Sequence, residues 1–290
     1  MPTPTFFLVG APKAGTTSLS RYLAQHPEVA VATEKEPCFF APEVPVSAST
    51  DAHRRDWTSY LSLFAHATAA RAIGEGSVAY LGSAHAPAAI AARIPNAKIL
   101  MMLRDPANRL FAHYAAARAS DATRLAFLDW VSEQRAAENG RTPTWGPIWA
   151  GRYATHLARY QQHFAPQQIH VSFFEDFIDT PDVVLASIFA FLGVDPTVTI
   201  DRRERHNVTT VARWPALSVV RRPVASILRR TLPVAALERA RTWSRAPFSL
   251  TPSLTEHAAA IDIYRSEIDG LARLTGRDLS LWLTPSNVAG

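Results

Sequence analysis

The chain has 290 residues, 48% of them hydrophobic, a composition that suits a folded domain with a sizeable core. Its formal net charge is +5, and the basic residues are almost all arginine because Lys13, Lys35 and Lys98 are the only lysines. Cys38 is the only cysteine, which excludes an internal disulfide and a cysteine-based zinc site.

The N-terminal sequence has no basic segment ahead of a long apolar run, and no stretch reaches the roughly 18 apolar residues of a membrane span. We therefore expect a cytoplasmic protein. The arginine excess does not by itself indicate a nucleic-acid partner, because a polyanionic cofactor or acceptor suits it equally well. We expect no nucleic-acid partner, and the sequence does not decide the oligomeric state.

Apolar runs and helical periodicity alternate along the chain. Buried strands are predicted at residues 6–9, 99–103 and 168–174. Helices are predicted at residues 16–26, 87–94, 108–118, 153–164, 181–192 and 253–274. This alternation favours an α/β fold in which a central parallel sheet is flanked by helices, with ligands at the carboxyl ends of the strands.

No internal repeat or domain boundary is evident, so we expect one domain over residues 1–290. Within it, residues of about 202–252 form a basic region without clear strands, in which arginines alternate with apolar residues. Such a basic amphipathic segment, here 213–245, suits a lid over the acceptor or a peripheral membrane contact. The alternative is a solvated helix pair with one apolar face on the core.

A loop of the phosphate-binding type follows the first strand, in the sequence "LVGAPKAGTTSL". Gly10 and Gly15 keep the spacing of the ATP-binding loop, but Thr16 stands where that loop has its lysine. The lysine lies inside the loop, at Lys13. Loop amides and the helix N-terminus still form an anion site, whereas the apparatus for a magnesium-bound triphosphate is gone. The alternative is an ordinary glycine-rich turn with a solvated lysine.

A second segment, "RDPANRLFAHY", places Arg104 at the end of another predicted strand. Its guanidinium is available there for a second phosphate, and Pro106 suits the first turn of a helix. The alternative for this segment alone is a helix-capping Arg-Asp pair.

Together, "PKAGTTSL" and "RDPANRLFAHY" resemble the sulfotransferase family that uses 3′-phosphoadenosine 5′-phosphosulfate, PAPS. The similarity is greatest to the branch of heparan-type carbohydrate sulfotransferases and their bacterial relatives. Further matching segments are "EKEPCFF", "GEGSVAYL", "GRYATHLARYQQHF" and "FLGVD". The resemblance implies a P-loop-like fold, PAPS as co-substrate without a metal, and a hydroxyl acceptor on a carbohydrate, a lipid-linked molecule or another small molecule, with an amine as the alternative.

The resemblance also implies roles for individual residues. Lys13 would stabilise the departing bisphosphate, and Arg104 would bind the 3′-phosphate. The 5′-phosphosulfate would lie on amides and hydroxyls of the loop residues Lys13, Ala14, Gly15, Thr16, Thr17 and Ser18. The family usually has serine where this chain has Ala112, so we expect weaker binding or a replacement donor from Arg202, Arg203 or Arg205.

The acceptor base implied by the resemblance is Glu36, with Lys35 beside it to keep the carboxylate ionised. Glu75, at the end of a strand, is the second candidate. Relatives often have a lysine after that glutamate, where this chain has Gly76, which makes a highly sulfated acceptor less certain. His113 and His170 are expected to be structural, and no spacing of histidines and carboxylates suggests a metal site.

Two other functions remain open from the sequence. A small-molecule kinase would need ATP and magnesium, which Thr16 argues against. A nucleotide-binding protein that has lost catalysis is supported by Ala112 and opposed by the presence of both Lys13 and Glu36.

Overall fold

The computed structural model describes residues 1–45, 51, 53–54, 56–138, 146–203, 210–212, 245–247 and 250–286. For residues 210–212 and 245–247 it describes the backbone alone. The predicted strands and helices that concern the site lie within these residues. Arg205 and most of the basic region lie outside them.

Five parallel strands form the central sheet, in the order β2-β3-β1-β4-β5. They are β1 (Phe6–Gly10), β2 (Val29–Val31), β3 (Ala72–Gly76), β4 (Lys98–Leu103) and β5 (Ile169–Phe173). The residues of β1 are all buried, and only Lys98 of β4 is not. These continuous apolar runs are typical of strands covered on both faces, and they confirm the predicted parallel α/β fold.

Helices alternate with the strands along the chain. They are α1 (Thr16–Leu23), α2 (Trp57–Ser62), α3 (Ala86–Arg93), α4 (Pro106–Ala119), α5 (Phe127–Glu138), α6 (Tyr153–Gln161), α7 (Phe174–Asp179), α8 (Pro181–Leu192) and α9 (Leu254–Thr275). The first turn of α9 is closed by a capping box of Ser253 and Glu256. Helix α9 packs on α4 and α6, so the C-terminal part of the described chain supports the helix that follows β4.

The order of the strands sets the position of the candidate site. Strand β1 lies between β3 and β4. The connection from β1 to β2 therefore runs toward one side of the sheet, and the connection from β3 to β4 runs toward the other side. In open α/β sheets, ligands bind in the crevice at the carboxyl ends of such strands. Gly10, Gly76 and Arg104 lie at these ends or directly after them.

The predicted helices and strands are confirmed with shifts of a few residues at their ends. The prediction missed β2, α2, α5 and α7, which are short or weakly amphipathic. The sequence shows no clear strands in residues 202–252, of which the structure describes only a part. Thr210–Ala212 (β6) and Arg245–Pro247 (β7) form an antiparallel pair, which the sequence did not reveal because each strand has three residues and its partner is remote.

No helix among the described residues is both long enough and apolar enough to cross a membrane.

Candidate active site

The loop between β1 and α1 is fixed by backbone hydrogen bonds to its neighbours. Ala11 donates its N–H to the carbonyl oxygen of Met102 in β4 at 2.7 Å, and Leu81 donates to that of Val9 at 2.8 Å. Lys13 has φ of 66°, in the left-handed region that non-glycine residues seldom adopt. The loop is therefore held in one shape from both sides.

Helix α1 begins directly after this loop without a side-chain cap. Its N-cap residue is Gly15, with φ of 78°, and no side-chain hydrogen bond closes the first turn. The first N–H groups of a helix have no partner within the helix, and they attract anions together with the helix dipole. Thr16 and Thr17, the first two residues of the helix, are both buried. We call residues 11–17, the loop and the first helical residues, the nest; its geometry is suited to a phosphate group.

Arg104 follows β4 and reaches the loop. Its Nη1 donates to the carbonyl oxygen of Lys13 at 3.2 Å, and its guanidinium lies 4.8 Å from the ring centroid of Phe174. Asp105 caps α4 instead, accepting from the N–H groups of Ala107 and Asn108. The two residues therefore act separately, with Arg104 turned toward the loop.

Lys13 lies in a cluster of charged side chains. Burial lowers its pKa, Lys35 and Arg109 lower it further, and Glu36 raises it. The cations around Lys13 create a region of positive potential, which a bound anion would stabilise. The interaction with Glu36 also shows that the predicted base lies near the predicted lysine.

The segment that carries Glu36 has an unusual backbone. Glu36 has φ of 55° and Cys38 has φ of 51°, on either side of Pro37. The Glu36 carboxylate pairs with Lys35 at 2.9 Å, and about a third of its side chain is exposed. A carboxylate that is both held and exposed is suited to accept a proton from a bound molecule.

Glu75, the second candidate base, is fully buried at the end of β3. Its Oε1 accepts from the hydroxyls of Tyr60 at 3.0 Å and Tyr80 at 2.6 Å, and its Oε2 accepts from that of Ser77 at 2.5 Å. Burial raises its pKa to about 7, although the three hydroxyls act in the opposite direction. Its surroundings separate it from solvent, in contrast to Glu36.

A family model described as "Sulfotransferase family" matches residues 4–197. The matched region contains the nest, Arg104, Glu36 and Glu75. The chain belongs to the sulfotransferase family. It is accordingly a transferase of the sulfuryl group.

Solved and curated relatives agree with this assignment. The crystal structure of a sulfotransferase from Alicyclobacillus acidocaldarius covers 97% of the chain and 99% of its own, with a TM-score of 0.72 and 28% identity. The mouse and human bifunctional heparan sulfate N-deacetylase/N-sulfotransferase 3 are each 30% identical over 200 residues, or 67% of the chain. The match spans only 22% of each of these two relatives.

The sulfotransferase departs from the expected 3′-phosphate site. Ala112 lies half-buried in α4 and offers no hydroxyl. Arg202 pairs with Asp182 at 2.7 Å and Arg203 with Asp201 at 3.5 Å. Both of these candidate replacement donors are thus bound to carboxylates, and the third, Arg205, lies outside the described residues.

Neither His113 nor His170 is placed to act as a general acid or base. Burial, Arg109 and Lys13 lower the pKa of His113 to about 3, so this imidazole is neutral. His170 lies in β5 with its Nε2 3.0 Å from the hydroxyl oxygen of Ser172. In the part of the chain that the structure describes, no group of histidine, cysteine and carboxylate side chains is arranged to hold a metal ion.

Sequence reasoning missed Arg109, which is fully buried in α4. Its Nη2 donates to the carbonyl oxygen of Pro147 and, at 3.2 Å, to the hydroxyl of Tyr264. It forms no ion pair with a carboxylate among the described residues, and it lowers the pKa of both Lys13 and Arg104. It therefore adds positive potential at Lys13 and at Arg104. Its only signal in the sequence is its place in "RDPANR".

Proposed function

We propose that this sulfotransferase transfers the sulfuryl group of PAPS to a hydroxyl of a carbohydrate, a lipid-linked molecule or another small molecule. The observation that supports it most is the hydrogen bond from Arg104 to the carbonyl oxygen of Lys13. This bond brings the guanidinium of Arg104 to the loop that carries Lys13, beside a helix N-terminus without a side-chain cap. A nucleotide with two separate phosphate groups matches that arrangement.

Each group of the donor then has a partner in the chain. The 5′-phosphosulfate would lie on the amides and hydroxyls of residues 13–18, and the 3′-phosphate on Arg104. Lys13 would contact the bridging oxygen, where negative charge develops as the leaving group departs. No metal is needed for this, because the charge is met by Lys13, Arg104 and the nest.

The transfer is a single in-line displacement. The acceptor oxygen attacks sulfur and forms the new S–O bond, while the bond from sulfur to the bridging oxygen breaks. The acceptor proton passes to the carboxylate of Glu36, and adenosine 3′,5′-bisphosphate leaves with its charge stabilised by Lys13. The exposed carboxylate of Glu36 near Lys13 supports these roles.

Calorimetric binding tests the donor. Adenosine 3′,5′-bisphosphate is titrated beside ADP and beside ATP with magnesium, and the titrations are repeated on Arg104→Ala. We expect selective binding of the bisphosphate, weakened about 10- to 100-fold in Arg104→Ala, the effect of one hydrogen bond to a charged group. Arg118→Ala is the matched control. Arg118 lies farther along α4, where it donates to the hydroxyl of Tyr114 and to the carbonyl oxygen of Leu125. Preference for ATP with magnesium would overturn the proposal in favour of a kinase.

The acceptor is tested by transfer of radiolabelled sulfur from PAPS to a defined set of molecules. The set contains a phenol, a long-chain alcohol, an N-acetylglucosamine oligosaccharide and the same oligosaccharide after removal of its acetyl groups. Hydroxyl transfer predicts equal labelling of the two oligosaccharides. Labelling of the deacetylated one alone would identify an amine acceptor, as the names of the N-sulfotransferase relatives suggest.

A further inference from the structure

The buried carboxyl group of Glu75 accepts hydrogen bonds from three hydroxyl groups next to residues 34–40, the segment that carries Glu36. Tyr60 and Tyr80 donate to one of its oxygens and Ser77 to the other. Each of these bonds joins a hydroxyl to an oxygen of the Glu75 carboxyl group, and all four side chains are buried. A buried network in which both carboxyl oxygens are bonded fixes the direction of the hydroxyls.

Two of the three hydroxyls also accept hydrogen bonds from backbone N–H groups of this segment. Cys38 donates its N–H to Ser77 Oγ at 3.0 Å, and Phe40 donates its N–H to Tyr80 Oη at 3.2 Å. Tyr60 makes no such bond to this segment among the described residues. Each of the first two hydroxyls therefore links Glu75 to the backbone two or four residues after Glu36.

The segment needs such support because its backbone is strained. Glu36 and Cys38 both have left-handed φ values, and neither is glycine. Residues in this conformation cost free energy and persist only where the surrounding structure fixes them. The bonds from Cys38 and Phe40 lie within and directly after the strained residues, where they oppose relaxation.

We infer that Glu75 is a positioning residue, which holds the carboxylate of Glu36 in place through Ser77 and Tyr80. The inference rests on the proposed function, in which Glu36 is the base. Glu75 does not take that role itself, because it is buried and both its oxygens already accept hydrogen bonds from protein hydroxyls. It acts on the reaction through the backbone of the segment.

Matched variants separate positioning from general packing. Tyr80→Phe and Ser77→Ala each remove one link between Glu75 and the segment. Tyr60→Phe removes a hydrogen bond to the same Glu75 oxygen but no link to the segment, so it is the control. Glu75→Ala removes the common acceptor, and Glu75→Gln restores an oxygen that accepts from both tyrosines.

The single cysteine of the chain supplies a readout that needs neither donor nor acceptor. Cys38 is buried in the segment, and burial raises the pKa of its thiol to about 12, so its reaction with an aromatic disulfide reagent is expected to be slow. Loosening of the segment exposes the thiol. We expect the reaction to be about tenfold faster or more in Tyr80→Phe, Ser77→Ala and Glu75→Ala, and within twofold of the unmodified chain in Tyr60→Phe.

Transfer from PAPS to the best acceptor of the set above gives the second readout. We expect kcat to fall about tenfold or more in the same three variants, with partial recovery in Glu75→Gln and unchanged affinity for adenosine 3′,5′-bisphosphate. Unchanged thiol reactivity and kcat in Tyr80→Phe and Ser77→Ala, or an equal effect of Tyr60→Phe, would overturn the inference. Faster thiol reaction with unchanged kcat would also overturn it, and would remove Glu36 from the proposed mechanism while leaving the donor site intact.

Discussion

Arg104 donates a hydrogen bond to the carbonyl oxygen of Lys13, and so joins the end of β4 to the loop after β1. The bond turns one guanidinium toward the nest and helps to hold Lys13 in its left-handed conformation. In the proposed function, donor binding at Arg104 and the position of Lys13 are therefore coupled. Both cations are also acted on by the buried charge of Arg109.

Replacing Lys13 by alanine is expected to lower kcat about 100- to 1,000-fold, the usual effect of removing one group that stabilises developing negative charge. The affinity for adenosine 3′,5′-bisphosphate should fall much less, because the amides of the nest remain. Steady-state transfer at saturating PAPS measures the first quantity and calorimetry the second. Lys98→Ala is the control, since Lys98 bonds to the carbonyl oxygen of Leu192 at the other end of β4. A loss of kcat smaller than tenfold would contradict the role of Lys13.

Restoring a hydroxyl at position 112 is expected to strengthen donor binding. Ala112→Ser supplies the hydroxyl that the resemblance leads us to expect at this position, and one hydrogen bond to a charged group contributes about 1.5–3 kcal/mol. The affinity for the bisphosphate should rise about tenfold or more. Ala116→Ser adds the same hydroxyl one turn farther along α4 and should leave affinity unchanged. Equal affinities for both variants and the original chain would show that the 3′-phosphate lies elsewhere.

Gly15 cannot be replaced without damage to the nest. It has φ of 78°, and an added Cβ would lie 2.9 Å from the ring of Phe174. Gly15→Ala should therefore destabilise the fold by more than the about 1–2 kcal/mol of a left-handed residue alone, and weaken bisphosphate binding. Gly276→Ala is the matched control, with φ of 68° and open space around its Cβ. Denaturant unfolding and calorimetry compare them, and equal losses would argue against the contact with Phe174.

The titration of Glu75 predicts a pH dependence of stability. Burial raises its pKa from an ordinary value near 4.5 to about 7 in the folded chain. The folded state then holds this proton more tightly than the unfolded state, so the stabilisation is complete below pH 4.5 and is lost as pH rises through 7. Relative to Glu75→Gln, the free energy of unfolding should fall by about 3 kcal/mol over this interval and then level off. Denaturant unfolding of both chains across pH measures the difference, and a difference that is constant or rises with pH would contradict the burial argument.

The parallel sheet and the nest could be predicted from the sequence because their signals are local. Continuous apolar runs indicate strands such as β4, and the spacing of Gly10 and Gly15 indicates a phosphate loop. Arg104 and Lys13 could be assigned to one site because strands of a parallel sheet end at the same edge. Their mutual hydrogen bond could not be predicted, because it depends on the shape of the loop.

The surroundings of Glu75 illustrate what sequence reasoning leaves out. Ser77 and Tyr80 lie beside it in "GEGSVAYL", but Tyr60 comes from another helix and reaches it only in the folded chain. The same holds for Arg109, whose partners are Pro147 and Tyr264. Burial and partners of this kind arise from long-range packing, and they decide which glutamate is exposed and which is not.

A donor comparison tests the proposed function most directly. The purified chain is incubated with the acceptor set and either sulfur-labelled PAPS in the presence of a metal chelator or γ-phosphate-labelled ATP with magnesium. We expect labelling of an acceptor from PAPS alone, with loss of that labelling in Lys13→Ala and in Glu36→Gln. Labelling from ATP with magnesium and none from PAPS would contradict it.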